Sequence, residues 1–172
     1  MEQLLSIAKN SVESFIKEGK IPEFKVDSEK LKAKRGVFVT LKKRGELRGC
    51  IGCTAGDKPL YQAVSEMALA AAFSDPRFEP VTREELPELE YEISVLTPLK
   101  KVSSWQEIEV GRHGVQAMAE GRSALFLPQV AKENNWNLET FLQHLMLKAG
   151  LLPNYWEDNP VDFYIFEVEI FK

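Results

Sequence analysis

The chain has 172 residues, enough for one domain or a domain with a small added lobe, and its 44% hydrophobic and 28% charged residues provide both a core and a solvated surface. Its 22 basic and 26 acidic residues leave a formal net charge of -4, which excludes broad nonspecific nucleic-acid binding through a basic footprint. No apolar run reaches bilayer length and the N-terminus lacks a signal-peptide core, so a soluble, cytoplasmic protein is expected.

Residues 2 to about 18 predict an amphipathic helix with Leu4, Leu5, Ala8, Val12, Phe15 and Ile16 on one face. Gly19 and Pro22 end it. Val37 to Leu41 and Glu46 to Ile51 read as a hairpin turning at Lys43-Arg44-Gly45. Pro59 fits the first turn of a second helix, whose buried face is Leu60, Val64, Met67, Ala68 and Ala71. Leu89 to Val95 alternates apolar and polar residues as a half-buried strand does.

Two further strands, about Glu109 to Met118 and Ser123 to Leu127, flank Gly121, and Pro128 opens a short helical turn. Asn137 is placed to cap a helix carrying Leu138, Phe141, Leu142, Leu145 and Met146, with Gly150 as its stop. Phe163 to Phe171 reads as a final strand. Helices and strands mix without a regular βαβ alternation, and the hairpins imply antiparallel pairing. The expected fold class is therefore α+β, a mainly antiparallel sheet with packed helices, in a single domain over 1–172.

The most unusual stretch is Leu47-Arg48-Gly49-Cys50-Ile51-Gly52. In an extended chain Leu47, Gly49 and Ile51 face the core, and Arg48, Cys50 and Gly52 face the other way. A guanidinium on the same side as a thiol favours the reactive thiolate form, and Gly49 and Gly52 leave the backbone open to a ligand. The same residues also fit a buried cysteine beside a bulge or a tight packing contact.

Cys50 and Cys53 form a C-x-x-C pair. A structural zinc site needs more ligands than His113 and His144 supply at their spacing, and Cys50 lies in a strand rather than at a helix start. No metal and no cofactor are expected. Two cysteines so close together also make no disulfide framework.

Gly111-Arg112-His113-Gly114 reads as a tight turn. His113 is there either a general base or a turn histidine bonded to backbone. His144, inside a helix, reads as structural. In Ser74-Asp75-Pro76-Arg77-Phe78, Asp75 is either an acid–base group or the ion-pair partner of Arg77. If Arg48, Arg77, Arg112 and Arg122 converge, they make a pocket for a small anionic ligand. Gln129, in Phe126-Leu127-Pro128-Gln129-Val130, is a ligand-binding residue or a cap.

Taken together, these blocks resemble the AMMECR-type domain family. They are the hexapeptide, residues 73–78, Glu84-Glu85-Leu86-Pro87, Ile93-Ser94-Val95-Leu96, the Gly111 to Gly114 turn, Leu127-Pro128-Gln129-Val130 and Lys148-Ala149-Gly150-Leu151. They occur in the family's order, and the resemblance covers about residues 4 to 171. The chain is most similar to the family's stand-alone prokaryotic form, AmmeMemoRadiSam system protein A. The resemblance implies an α+β fold with a larger and a smaller lobe, a cleft near the hexapeptide, and Memo-like and radical SAM proteins as partners. Cys53 stands where the family usually has a small hydroxyl residue, and Met146 where many relatives have cysteine.

Two functions follow. The first is a binding or adaptor protein acting with those partners, since the chain has no complete catalytic triad, metal cluster or phosphate loop. The alternative is a small-molecule or nucleotide-related enzyme using a cleft around Cys50, Asp75 and His113, with Arg48, Arg77 and Arg112 as anion anchors.

Overall fold

Helix α1 (Glu2–Glu18) opens a computed structural model that describes residues 2–172. Backbone contacts divide the chain into two units: the described residues through Leu96 with Glu169–Lys172, and Thr97–Val168. The first unit is the larger.

In the first unit, α1 and α3 (Leu60–Phe73) pack together and against a four-stranded sheet. The strands are β1 (Val37–Lys43), β2 (Glu46–Cys53), β3 (Leu89–Leu96) and β8 (Val168–Phe171), in the order β2-β1-β3-β8. A one-turn helix α2 (Glu29–Lys32) precedes β1. β1 pairs antiparallel with β2 and with β3. Its Val37, Val39 and Leu41 are fully buried, as period-two alternation over a helix-covered face requires. The hairpin turns at Arg44 and Gly45, both with φ in the left-handed region, the geometry that matches strand twist in a two-residue loop.

Small residues set the distance between α3 and the sheet. Ala63, Ala68, Ala71 and Ala72 are buried on the helix. Opposite them a Cβ on Gly49 would stand 2.1 Å from the Ala71 carbonyl oxygen, so only glycine fits. Between α1 and α3, Ser11 and Ser65 are both buried, and their hydroxyls lie 2.7 Å apart. The Ser11 hydroxyl donates to the Ile7 carbonyl at 2.7 Å, so in the pair with Ser65 it is the acceptor.

The second unit holds β4 (Lys100–Lys101), β5 (Gly114–Ala119), β6 (Arg122–Phe126) and β7 (Asp162–Phe166), in the order β4-β7-β5-β6. Its helices are α4 (Pro128–Glu133), α5 (Leu138–Lys148) and α6 (Tyr155–Asp158). Phe141, Leu142, Leu145 and Met146 of α5 form the centre of its core. Trp105, Trp136 and Trp156 all belong to this unit. The Asn137 carboxamide accepts from the Thr140 N–H at 2.8 Å, the expected cap, and Gly150 with φ +75° ends the helix.

The fold is α+β with antiparallel strand pairs. Two strand boundaries expected from sequence alone change. The final strand breaks at Glu167 into β7 and β8, which belong to different sheets. The strand expected from Glu109 starts only at Gly114, because residues 109–113 form a turn closed by the His113 N–H donating to the Glu109 carbonyl at 2.9 Å.

Candidate functional site

The hexapeptide contains a bulge. Leu41 faces Gly49 but its neighbour Lys42 faces Leu47, so Arg48 is the extra residue on β2. Beyond the bulge the expected alternation holds. Gly49, Ile51 and Cys53 lie opposite the buried Leu41, Val39 and Val37, while Cys50 and Gly52 lie opposite Thr40 and Phe38 on the other face. Before the bulge the alternation reverses, and Leu47 is 42% exposed instead of facing the core. The Phe38 ring rests on Gly52, where a Cβ would come within 2.3 Å of ring carbons.

Released from the ladder, Arg48 binds Glu85 as a fork, Nε to Oε1 at 3.0 Å and Nη2 to Oε2 at 2.9 Å. Glu85 also accepts from the Thr82 N–H at 3.0 Å, the return arm of a capping box on the 3-10 turn 83–88, and from Lys43 Nζ at 3.0 Å. The Arg48 guanidinium holds the Glu85 carboxylate down to about 2. Arg48 is therefore a tie between β2 and the segment before β3, and the cation beside Cys50 is a different one.

That cation is Arg77. Asp75, 4% exposed, sits at the outer edge of β2 and accepts four hydrogen bonds. Its Oδ2 takes the Cys50 N–H and Arg77 Nη2, each at 2.8 Å. Its Oδ1 takes the Arg77 N–H at 3.1 Å and Nε at 3.0 Å. Arg77 Nη2 also donates to the Cys50 carbonyl at 3.3 Å. The Arg77 guanidinium and the Cys50 amide together hold the Asp75 carboxyl well below the usual carboxylate range, against the opposing effect of burial. The pair presents the edge strand with one acceptor and one donor, as a residue of a neighbouring strand would.

A carboxylate with both oxygens engaged is a poor proton acceptor, so Asp75 reads as the ion-pair partner of Arg77 rather than as an acid or base. The Arg77 side chain is 55% exposed, and its guanidinium lies 5.5 Å from the Phe78 ring centroid. The Cys50 thiol is half-buried and accepts from Thr40 Oγ1 at 3.2 Å. Cys53 lies on the opposite face, packed against the core, so the C-x-x-C pair does not converge. Among the described residues, no group of three or more His, Cys, Asp or Glu side chains is placed to hold a metal ion.

The remaining sequence candidates belong to the second unit. His113 is buried, and its Nδ1 accepts from the Glu109 N–H at 3.0 Å, which places the proton of a neutral ring on Nε2. This is the turn histidine bonded to backbone. Gly111 takes φ +85° with the Lys132 side chain against it, where a Cβ would meet Lys132 Cε at 2.8 Å. Arg112 bridges Glu109 at 3.1 Å and Glu167 at 2.9 Å on the surface. Gln129, on α4, buries its Oε1 without a hydrogen-bond partner among the described residues. Arg122 donates to the Gly150 carbonyl.

Each of the four arginines singled out by sequence thus has its own protein acceptor. Cys50, Asp75 and Arg77 come together, with Gly49 and Gly52 on either side of Cys50 along β2. Two contributors escaped the sequence reading. Thr40 needed the cross-strand register, whereas Glu85 was signalled by the Thr82-x-x-Glu85 capping-box spacing.

Comparison with known proteins agrees with this architecture over its whole length. Protein MK0488 of Methanopyrus kandleri is 43% identical over 180 residues, covering 99% of this chain and 87% of that protein. Protein NEQ441 of Nanoarchaeum equitans is 40% identical over 177 residues, covering 98% of each. The crystal structure of the uncharacterized protein PH0010 from Pyrococcus horikoshii superposes with a TM-score of 0.90 at 39% identity, covering 98% of this chain and 89% of that one. The family model AMMECR1 matches residues 5–171, and the chain belongs to the AMMECR1 family.

Proposed function

We propose that this protein acts as a binding and adaptor protein, working with a Memo-like protein and a radical SAM protein, rather than by acid–base catalysis. The observation that carries this reading is the saturation of Asp75, which makes the most buried carboxylate near Cys50 a brace for an edge strand. Arg48 and His113 are likewise engaged, by Glu85 and by the Glu109 amide. Groups held this way keep a surface rigid for recognition and leave few free to move protons. The partner classes come from the family resemblance of the sequence blocks. The test is co-expression with the Memo-like and radical SAM proteins, followed by gel filtration. A stable stoichiometric complex is expected, and its absence at every salt concentration tried would count against the adaptor reading.

A second reading, a small-molecule enzyme using the Cys50 thiol, is favoured by one contact: Thr40 Oγ1 donates to Sγ at 3.2 Å. Under this reading iodoacetamide alkylates Cys50 at neutral pH faster than it alkylates a cysteine in an unfolded peptide. A rate equal to or below the peptide rate removes this alternative.

A further inference from the structure

The first unit carries a concavity that none of the motifs above uses, a cavity of about 460 Å³ between the start of α1, α2 and the β3–β8 side of the sheet. Its volume lies within the range of small-molecule sites. Leu4, Leu31, Leu60 and Val95 form an aliphatic floor, each with no more than 6% of its surface exposed in all, and the half-buried Phe171 stands beside them. Arg35, Lys30 and Glu169 stand at the rim.

Arg35 is the informative residue. Its Nε is anchored on the Leu96 carbonyl at 2.8 Å, which fixes the plane of the guanidinium. Its two terminal nitrogens reach Glu169 Oε1 only at 3.5 Å each. That is well beyond the distance of about 2.7–2.9 Å usual for charge-assisted bonds. The Glu169 side chain is 54% exposed, so it is a loose partner that an incoming anion can displace. A fixed guanidinium beside an aliphatic floor is complementary to a molecule with a carboxylate at one end and a hydrocarbon chain at the other.

We infer that this cavity is a binding site for a small aliphatic carboxylate, with its head group on Arg35 in place of Glu169 and its chain over Leu31, Leu60 and Val95. The site is independent of the Cys50 face and of the adaptor reading. Octanoate, octylammonium and hexanoate are the probes, titrated into the full chain with methyl chemical shifts and calorimetry as readouts. Octanoate should shift the methyls of Leu31, Leu60 and Val95, and bind about tenfold or more tightly than octylammonium. Hexanoate should bind roughly tenfold more weakly than octanoate, the loss of two buried methylenes.

Arg35→Gln should remove the preference for carboxylate, while Glu169→Gln, which removes the competing anion, should tighten octanoate binding. In the Arg35→Gln protein the octanoate-to-hexanoate ratio serves as the check that the cavity itself is intact. Equal binding of octanoate and octylammonium, shifts confined to other methyls, or unchanged octanoate affinity in an intact Arg35→Gln cavity would each overturn the assignment.

Discussion

Replacing Asp75 with asparagine tests whether this residue is a brace or a catalyst. The carboxylate accepts four N–H groups, two on each oxygen. An asparagine presents an oxygen on one side only, so two of the four donors must face an NH₂ group. If they are the Oδ2 pair, the Cys50 amide loses its acceptor at the sheet edge. If they are the Oδ1 pair, the Arg77 amide and Nε do. A buried donor left without a partner costs about 1–3 kcal/mol, and a charge-assisted bond contributes a similar amount. The Arg77 side chain is more than half exposed, so its share is reduced by solvent. The expected loss is about 2–4 kcal/mol at pH 7.

The same geometry dictates the pH dependence of that loss. In the unfolded chain the Asp75 carboxyl titrates near ~3.9. In the folded chain it titrates well below that, so the unfolded state takes up the proton first as pH falls. Its contribution is complete above about pH 5 and declines below about pH 4, until the folded carboxyl is itself protonated. The gap between wild type and Asp75→Asn should therefore narrow on acidification. Urea unfolding followed by far-ultraviolet circular dichroism gives the free energies, and hydrogen exchange at the Cys50 amide gives the local effect. Wild-type stability at pH 7 together with unchanged Cys50 protection would refute the reasoning.

Gly49→Ala should destabilise the first unit by about 1–3 kcal/mol or more through overpacking against Ala71, and an alanine variant with an unchanged urea midpoint would contradict the packing argument. Glu85→Gln should lower stability at pH 7 by about 1–2 kcal/mol and flatten the pH–stability curve between about pH 4 and 2, because the folded carboxylate, held down to about 2, loses its contribution only as pH falls through that window. A curve as steep as wild type would show that the Arg48 fork contributes nothing. His113→Phe should cost about 1–2 kcal/mol by stranding the Glu109 N–H, while His113→Asn, whose side-chain oxygen can take the Nδ1 place, should recover part of that. Melting temperatures compare the two, and a larger loss in His113→Asn than in His113→Phe would show that the ring's volume matters rather than its acceptor.

Sequence rhythm located α1, α3 and α5 and the β1–β2 hairpin because those elements rest on local signals: 3.6-residue periodicity, the Asn137 cap, and Gly45 at the turn. It misplaced Leu47 because period-two reasoning cannot see an extra residue, and the bulge at Arg48 turns everything before it over. The break at Glu167 was hidden for a related reason, since β7 and β8 have the same alternating pattern and only their sheet partners distinguish them. At the site, Asp75 and Arg77 are two residues apart, so their pairing was readable as one of two options. Glu85 lies 37 positions from Arg48, and Thr40 meets Cys50 only through strand register. Such long-range partners decided which arginine accompanies the thiol.

The placement of the three tryptophans has a practical consequence for anyone handling this protein. All of them lie in Thr97–Val168, where Trp156 is part of the unit's core and Trp105 and Trp136 pack against it, so intrinsic emission follows the melting of one unit alone. The unit that carries Cys50, Asp75 and the Arg35 cavity is optically quiet apart from its two tyrosines, Tyr61 and Tyr91. A single tryptophan placed at Leu47, already on the surface of β2, would give the hexapeptide a fluorescent reporter of its own.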